Sequence, residues 1–317
     1  MTTPAISVVL PTYNVENYIA RALDSLINQT YTDFEVIVVD DCGHDNSIKI
    51  AEDYALRDDR IKIIKNPKNL GTYHARRVGV EHAIGDYIVF LDPDDELDSD
   101  ALIQLQLKID EEKNDIIFFG VAPSVKGRWY DIPPYIFPVN QTQSLLVSYF
   151  ANGTRSYLWG TPGKSYKASF IKSLYRVLNV SIDFRFVYAE DVFLLIHAML
   201  LKPSYSCVFY NGYIYHNNET SITQSNLNEN DARFLQYDFM IDSLNEHANE
   251  IDLSSDEKNT FNFVKKKLCA DRFLLLRHSN SSSNYLKYLV MSFKLLPNIA
   301  KASKITACIL SLGHIKL

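Results

Sequence analysis

Two carboxylates stand two positions apart in the segment Asp92-Pro93-Asp94-Asp95, directly after the apolar run Tyr87–Leu91. In an extended loop such side chains can aim at one point, and close like charges are costly unless a cation lies between them. Carboxylate oxygens suit Mg²⁺ or Mn²⁺, which keeps several waters and takes phosphate oxygens of a substrate as further ligands. An isolated Asp-x-Asp is more often an acidic turn that caps a helix. Its position after a buried strand favours a metal site at Asp92 and Asp94 instead.

The first two apolar runs of the chain also end in polar groups that could line a cleft. These groups are Pro11, Thr12, Tyr13, Asp40 and Asp41. A carboxylate at such a place can accept a hydrogen bond from a base N–H or from a sugar hydroxyl. The alternative is simple turn closure, because Asp-Cys-Gly at 41–43 is a plausible turn.

Three further candidates lie farther along the chain. Asp191 follows Glu190 at the start of the apolar segment Val192–Leu201. A carboxylate there is favoured by capping and by the helix dipole, and it could equally serve as a general base. Arg76 lies near a helix start, where it could meet a diphosphate or an acidic partner, or remain at the surface. His216 ends an aromatic segment, and a lone histidine is more often structural than a ligand.

The elements that must position these groups follow from the hydrophobic pattern. Short apolar runs without polar alternation predict strands buried on both faces; they are Ile6–Leu10, Phe34–Val39, Ile61–Ile64, Tyr87–Leu91 and Ile116–Phe119. Segments with helical spacing between them are Asn17–Ile27, Ser47–Leu56, Thr72–Ile84 and Ser99–Ile109. Alternating strands and helices predict an open, doubly wound, mostly parallel α/β sheet. Ligands bind outside the carboxyl ends of such strands, so the polar groups should converge at one edge.

The second half of the chain is less regular in pattern. Residues 121–165 are rich in proline and aromatic residues and are expected to form loops that line a site. Helices are predicted at Ser165–Val177 and Asp191–Leu201. The Asn-Gly pair at 211–212 predicts a hairpin between strands Tyr205–Tyr210 and Tyr213–His216. From about residue 230 onward the pattern is helical.

Composition narrows the class of protein. The chain has 317 residues, of which 47% are hydrophobic and 22% charged, so it can bury a sizeable core. Its four cysteines are scattered, which argues against a zinc ribbon and favours a reducing compartment. The N-terminal segment lacks the basic region of a signal peptide. No apolar run reaches the roughly 18 residues of a membrane-spanning helix.

Charge is unevenly distributed. The net charge of −6 disfavours nonspecific binding to nucleic acid. Residues 272–317 carry seven basic and no acidic residues, which leaves −13 for residues 1–271. Within this tail, Leu286–Leu312 mixes apolar residues with lysines and is interrupted by Pro297. Basic amphipathic helices can lie on anionic membranes; the alternative is a helical hairpin that packs on the rest of the chain or on a second copy.

Several motifs occur in order and resemble glycosyltransferase family 2 from Ile6 to about Leu102. They are ISVVLPTYNVENYIARALDSLINQTYTDFEVIVVDDCGHDNS, NLGTYHARRVGV and GDYIVFLDPDDELDSDAL. The segment AEDVFL at 189–194 resembles the Glu-Asp motif of the family. Looser similarity is carried by LWGTPGKSYKASFI and YIYHNNETSIT, and residues beyond about 230 show none.

This resemblance implies a GT-A fold, a nucleotide-sugar donor and inversion at the anomeric carbon. The implied nucleotide-sugar-binding residues are Pro11, Thr12, Tyr13, Asp40 or Asp41, Arg76 and Asp92. The implied metal ligands for Mn²⁺ or Mg²⁺ are Asp94, Asp92 and His216, and the implied general base is Asp191. Two departures from the family lie near the nucleoside: Cys42-Gly43-His44 replaces Asp-Gly-Ser, and Arg76-Arg77 replaces Arg-Asn.

The predicted function is transfer of a sugar from a UDP-sugar or similar donor to a hydroxyl of a glycan or lipid-linked glycan. Residues 1–229 are expected to form the catalytic domain, with a nucleotide-binding part at 1–120 and an acceptor-binding part at 121–229. Residues 230–317 are expected to form a helical extension with a basic amphipathic tail. The expected location is the cytoplasm, with 272–317 free to meet an anionic inner membrane face; a homodimer is an open option, and nucleic acid is not an expected partner.

Two other classes of function remain open at this point. A nucleotidyltransferase also uses an α/β sheet, a metal and carboxylates, but it needs a basic loop near the first strand, and Thr12–Tyr18 contains no Lys or Arg. A non-catalytic carbohydrate-binding protein on a transferase fold is the second alternative. The presence of Asp92, Asp94 and Asp191 argues against it.

Overall fold

The structure is a computed structural model of the chain. It describes residues 3–123, 144–147, 160–216, 218, 230–274 and 290. The chain divides into two compact units, Met1–Glu219 and Thr220–Leu317. Most of the predicted loops at 121–165, and all of Leu286–Leu312 except Val290, lie outside the described residues. Predictions for those segments stay predictions.

A mixed β-sheet organises the first unit. Its strands are β1 (Ile6–Thr12), β2 (Phe34–Asp40), β3 (Ile61–Lys65), β4 (Tyr87–Phe90), β5 (Glu96–Leu97), β6 (Ile116–Pro123), β7 (Lys164–Lys167) and β8 (Tyr205–Tyr215). Within the described residues their order is β3-β2-β1-β4-β7-β6-β8-β5. The β1–β2, β1–β4, β2–β3 and β6–β8 pairs are parallel. Since β7 is antiparallel to β4 and β6, and β5 to β8, the expected mostly parallel, mixed sheet is confirmed.

Helices connect these strands and continue into the second unit. In the first unit they are α1 (Ile19–Ile27), α2 (Ser47–Ala55), α3 (Thr72–His82), α4 (Ala101–Glu111), α5 (Ala168–Leu178) and α6 (Glu190–Leu200). In the second unit α7 (Asn230–Glu250) and α8 (Ser255–Leu274) confirm the helical pattern predicted after residue 230. None of the helices in the described ranges has the length and apolarity needed to cross a membrane.

The central apolar runs are strands buried on both faces, as expected, whereas the edge strand β3 is mostly half-buried or exposed. Every residue of Ile6–Leu10 is buried, and so is every residue of Tyr87–Phe90. Helix α1 packs one face on this sheet, since its buried residues recur at helical spacing. Burying the central strands this way leaves their carboxyl ends as the places where polar side chains can emerge.

Two predicted elements were wrong. The Asn-Gly pair at 211–212 is not a hairpin turn, because it lies inside the continuous strand β8, which pairs along β6 with a register shift between Phe119 and Val121. Gly120 lies at that shift, where a Cβ atom would collide with Asn211. The predicted helix from Ser165 actually begins at Ala168, because Lys164–Lys167 is recruited as a strand between β4 and β6.

A buried carboxylate, Glu35, fastens the amino edge of the sheet. It accepts hydrogen bonds from Ser7 Oγ (2.7 Å), Lys62 Nζ (2.7 Å) and the backbone N–H of Ile84 (2.8 Å). Burial favours a raised pKa for Glu35, but these donors outweigh it and lower the pKa below its ordinary value. Glu35 therefore links three strands and the segment after α3 in its ionised form.

We expect Glu35→Gln to lower the free energy of unfolding by about 2–3 kcal/mol. The glutamine NH2 group would face the donors that the Glu35 carboxylate now accepts from, and at least one of them would lose its acceptor. Glu52→Gln is the matched control: its ion pair with Lys65 is largely exposed, and its loss should cost less than about 1 kcal/mol. Urea denaturation at pH 7 measures both. Because the folded pKa of Glu35 is lowered, its contribution is present at neutral pH and is lost as pH falls through that pKa. Equal effects of the two substitutions would contradict the assignment.

Candidate active site at the carboxyl edge of the sheet

The ends of β1, β2 and β4 meet at one edge of the sheet, as predicted from the sequence. Thr12 at the end of β1 lies in register with Asp40 at the end of β2, and Asp41 N–H donates to the Thr12 carbonyl (3.0 Å). Leu91 N–H donates to the Val9 carbonyl (3.0 Å), which carries the chain after β4 alongside β1. Pro11 and Thr12 therefore lie beside the acidic segment that follows β4, and Tyr13 is 39% exposed at the same edge.

The two aspartates after β2 have different environments. Asp41 is 3% exposed and accepts hydrogen bonds from Asn66 Nδ2 (2.8 Å), Leu70 N–H (2.8 Å) and Gly71 N–H (2.9 Å). Asp40 is half-buried and accepts from the Cys42 N–H (2.9 Å). Asp41 thus anchors the loop before α3, whereas Asp40 has the more accessible carboxylate.

Gly71 is held close to the segment that leads into α6. Its φ of +85° suits glycine, and a Cβ atom there would lie 2.7 Å from Val187 Cγ1. The Tyr73 N–H donates to the Phe186 carbonyl (3.2 Å) across the same contact. The start of α3 and the approach to α6 are therefore packed without space between them.

Arg76 lies in α3, is 5% exposed and makes two ion pairs. Its Nη1 donates to Glu190 Oε1 (2.8 Å), and its Nη2 donates to Asp92 Oδ1 (2.6 Å). Burial alone would lower the pKa of Arg76, but the carboxylates of Asp92, Glu190 and Asp191 outweigh it and raise the pKa. The acidic partners suggested by the sequence are thus present, and contact of Arg76 with a diphosphate stays a prediction.

The loop after β4 concentrates negative charge. Asp94 accepts a hydrogen bond from Asn218 Nδ2 (3.2 Å); burial, and then the Asp92 charge, raise its pKa. Asp95 accepts from Tyr213 Oη (2.7 Å) and the His216 N–H (2.8 Å). Burial, followed by the charges of Asp92 and Asp94, raises the pKa of Asp95 to about 8. This loop is short of positive charge.

A divalent cation fits this donor set. Asp92 Oδ1 accepts from Arg76 and Asp94 Oδ2 accepts from Asn218, and carboxylate oxygens have further lone pairs, so oxygens of both can serve a metal that completes its shell with phosphate and water. The part of the chain that the structure describes holds no group of three His, Cys, Asp or Glu side chains arranged around one ion. The ring of His216 faces Glu96, with Nε2 2.5 Å from Oε1. Ligation by His216 stays a prediction.

Helix α6 begins with the two remaining acids of the site. Asp191 is half-buried, and its Oδ1 accepts the Val192 N–H (2.8 Å) at the helix start. Burial raises the pKa of Asp191, opposed by Arg76, the Val192 N–H and Lys164. Burial, followed by the Asp191 charge, raises the pKa of Glu190 to about 8. Through Glu190 and Arg76, the start of α6 is joined to Asp92 at the end of β4.

Some residues of this cluster were given no role by the sequence reasoning. Lys164 lies in a segment with only loose similarity to a motif. Its burial could not be predicted, because the neighbouring residues are mostly polar. Tyr213 and Asn218 contact Asp95 and Asp94, and both lie in the loosely similar segment YIYHNNETSIT, which gave neither of them a role. Glu190 belongs to the segment that resembles the Glu-Asp motif of the family, but the sequence analysis assigned the role there to Asp191 and none to Glu190.

Comparisons with known proteins agree with this geometry. The family model of glycosyl transferase family 2 matches residues 7–175. The chain belongs to glycosyl transferase family 2. Two Bacillus subtilis (strain 168) relatives, both named as glycosyltransferases, are 31% identical to it: EpsJ over 70% of this chain and 63% of its own length, and EpsH over 80% and 74%. The chain thus spans less than two thirds of EpsJ.

A solved structure supports the fold assignment. The Staphylococcus aureus TarS 1–349 complex with UDP-GlcNAc has a TM-score of 0.65 to this chain at 22% identity, covering 98% of this chain and 86% of that one. At this level of identity the likeness shows the fold alone. The GT-A fold predicted for this family 2 member is confirmed.

We expect Asp41→Ala to lower the free energy of unfolding by about 2–3 kcal/mol, because three buried donors lose their acceptor. Asp40→Ala is the matched control at the neighbouring position and should cost about 1 kcal/mol or less, because Asp40 accepts a single backbone hydrogen bond. Chemical denaturation followed by circular dichroism measures both. A larger loss at Asp40 than at Asp41 would show that the two roles are reversed.

Proposed function

We propose that this family 2 member transfers a sugar from a nucleoside-diphosphate sugar, a UDP-sugar, to a hydroxyl of a glycan or lipid-linked glycan, with inversion at the anomeric carbon. The observation that carries the proposal is the network in which Arg76 joins Asp92 to the start of α6, where Asp191 lies. TarS supports the donor class, since its fold is shared and its structure is named as a UDP-GlcNAc complex.

In this proposal the nucleotide sugar lies along the carboxyl edge of the sheet. The residues that hold it are Pro11, Thr12, Tyr13, an aspartate of the Asp40–Asp41 pair, and Asp92. Asp40 is the more exposed aspartate and offers a carboxylate to a base or ribose donor. Arg76 acts through Asp92, whose orientation it fixes by an ion pair. Asp94 and Asp92 would hold Mn²⁺ or Mg²⁺, whose charge offsets that of the leaving diphosphate.

The chemical step is a single in-line displacement. Asp191 accepts the proton of the acceptor hydroxyl while the hydroxyl oxygen forms a bond to the sugar C1. The bond between C1 and the diphosphate oxygen breaks with its electron pair, and the nucleoside diphosphate leaves. Burial makes Asp191 a stronger base than an exposed aspartate, and Arg76 favours the ionised form that can take a proton.

The partition of the chain belongs to the same proposal. Residues 1–120 bind the nucleotide, 121–229 contribute to the acceptor site, and 230–317 form the helical extension. The basic segment 272–317 contacts an anionic membrane surface that presents a lipid-linked acceptor, which places the protein on the cytoplasmic face. A homodimer through the same segment is the competing arrangement.

A thermal-shift panel of UDP-, GDP- and dTDP-sugars tests the donor site. We expect a UDP-sugar with Mn²⁺ to raise the melting temperature, because a ligand that binds the folded state stabilises it in proportion to ln(1 + [L]/Kd). Asp94→Asn should remove the Mn²⁺-dependent part of the shift. Asp183→Asn, at a side chain that is 84% exposed, is the control and should leave it intact. No shift with any donor would refute the proposed function, and an Mn²⁺ effect unchanged in Asp94→Asn would reject Asp94 as a ligand.

Substitution of the base gives a kinetic test. Asp191→Asn should reduce turnover by about 10²–10⁴-fold while donor affinity is retained, because the amide cannot accept the proton. Release of nucleoside diphosphate measures turnover, and calorimetry measures donor affinity. In the wild type, kcat/KM should fall as pH drops through the raised pKa of Asp191, above the ordinary aspartate range. Near-wild-type turnover in Asp191→Asn would remove Asp191 from the role.

A further inference from the structure

Lys164, on β7, is a buried cation that the proposed chemistry does not use directly. The residue is 3% exposed, and its Nζ donates to the carbonyl oxygens of Gly160 (2.5 Å) and Pro162 (3.2 Å). These two neutral carbonyls accept from two of the three ammonium donors but bring no negative charge. A buried charge is costly unless an opposite charge lies near it. Burial alone therefore favours the neutral form of Lys164, and a carboxylate counter-ion nearby favours its charged form.

The geometry of β7 indicates where that counter-ion lies. Side chains two apart on a strand share one face, so Lys164 and Tyr166 lie on the same side of β7. The Tyr166 ring packs against Phe90, with ring centroids 6.0 Å apart, and the Arg76 guanidinium lies 5.9 Å from the Phe90 ring. This face of β7 thus looks toward the acidic network around Arg76.

The charges around Asp191 are unbalanced without Lys164. Arg76 on α3 offers one positive charge, and that charge is shared among three carboxylates: Asp92 after β4, and Glu190 and Asp191 at the start of α6. Tyr166 on β7 also faces Asp191, and burial raises its pKa, so it stays neutral. Lys164 adds the second cation.

We propose that Lys164 is a positioning residue that holds Asp191 in its ionised, proton-accepting form. The inference rests on the proposed role of Asp191 as the base. Lys164 acts through Asp191 and not on the substrate, because its ammonium is committed to two backbone carbonyls. Burial lowers the pKa of Lys164 to about 7 and Asp191 opposes that effect, so each charged group stabilises the other.

The experiment reads the ionisation of Asp191 without any assay of turnover. Full-length protein labelled with ¹³C at the aspartate side-chain carboxyl is titrated by NMR, and the Asp191 signal is assigned by its loss in Asp191→Asn. In Lys164→Met the midpoint of Asp191 should rise by about one pH unit, because a nearby positive charge is removed. Lys164→Arg should keep the wild-type midpoint.

Lys172→Met is the matched control. Lys172 is partly buried and, like Lys164, donates from Nζ to a backbone carbonyl, that of Ala83 (2.7 Å), but it is not among the charges that act on Asp191. Its removal should leave the Asp191 midpoint unchanged. Lys164→Gln keeps a donor for the carbonyls and replaces Lys164→Met if the latter does not fold.

A midpoint that is the same in wild type and in the neutral variants would overturn the inference, as would an equal rise in Lys172→Met. Kinetics separates this inference from the proposed function. If a UDP-sugar is turned over, the acid limb of kcat/KM should move to higher pH in Lys164→Met. If no nucleotide sugar is turned over while the NMR midpoint still rises, the proposed function fails and the charge coupling stands.

Discussion

The guanidinium of Arg76 is buried between two carboxylates that lie far apart in the chain, and much of the site depends on that contact. Glu190 is 114 positions from Arg76 in sequence, whereas Asp92 is 16 positions away. A planar guanidinium presents its donors in a rigid fork, so both ion pairs form at once and each orients the other. Removing one partner of a buried pair is costly, because it strands a charge out of water. Helix α3 thereby ties the end of β4 to the start of α6.

The two edges of the sheet differ in how well their buried carboxylates are satisfied by other groups of the protein. At the amino edge, three donors of the protein itself hydrogen-bond to the Glu35 carboxylate. At the carboxyl edge, Asp94 and Asp95 crowd together with raised pKa values and too few cations. The same fold therefore holds one end where the buried carboxylate is well satisfied and one end where neighbouring carboxylates repel one another. That asymmetry suits a site for an anionic nucleotide and a divalent ion.

Much of this could be predicted from local pattern. Strands such as Ile6–Leu10 are apolar on both faces, so their burial and parallel pairing follow from the sequence, and with them the meeting of Thr12, Asp40 and Asp92 at one edge. The Asn-Gly pair at 211–212 was misread because pairing of β8 along β6 overrode its turn preference. Strand β7 was missed because Lys-Ser-Tyr-Lys at 164–167 has no apolar run.

The hydrogen-bond partners of individual side chains could not be predicted from the local sequence, for a different reason. Whether Asp40 or Asp41 is the anchor depends on where the loop before α3 places its N–H groups. The contact of His216 with Glu96 depends on how β8 ends beside β5. These pairings join residues 29 and 30 positions apart for Asp41 and 120 positions apart for His216, and only the folded chain decides them.

The close packing of Gly71 against Val187 ties the two sides of the cleft by shape as well as by charge. Position 71 has no spare volume, and its backbone conformation excludes most side chains. Any bulk added there would push the segment 185–188 outward and carry the beginning of α6 with it. Homologues that differ at one of these two positions should therefore compensate at the other, as a size-matched pair.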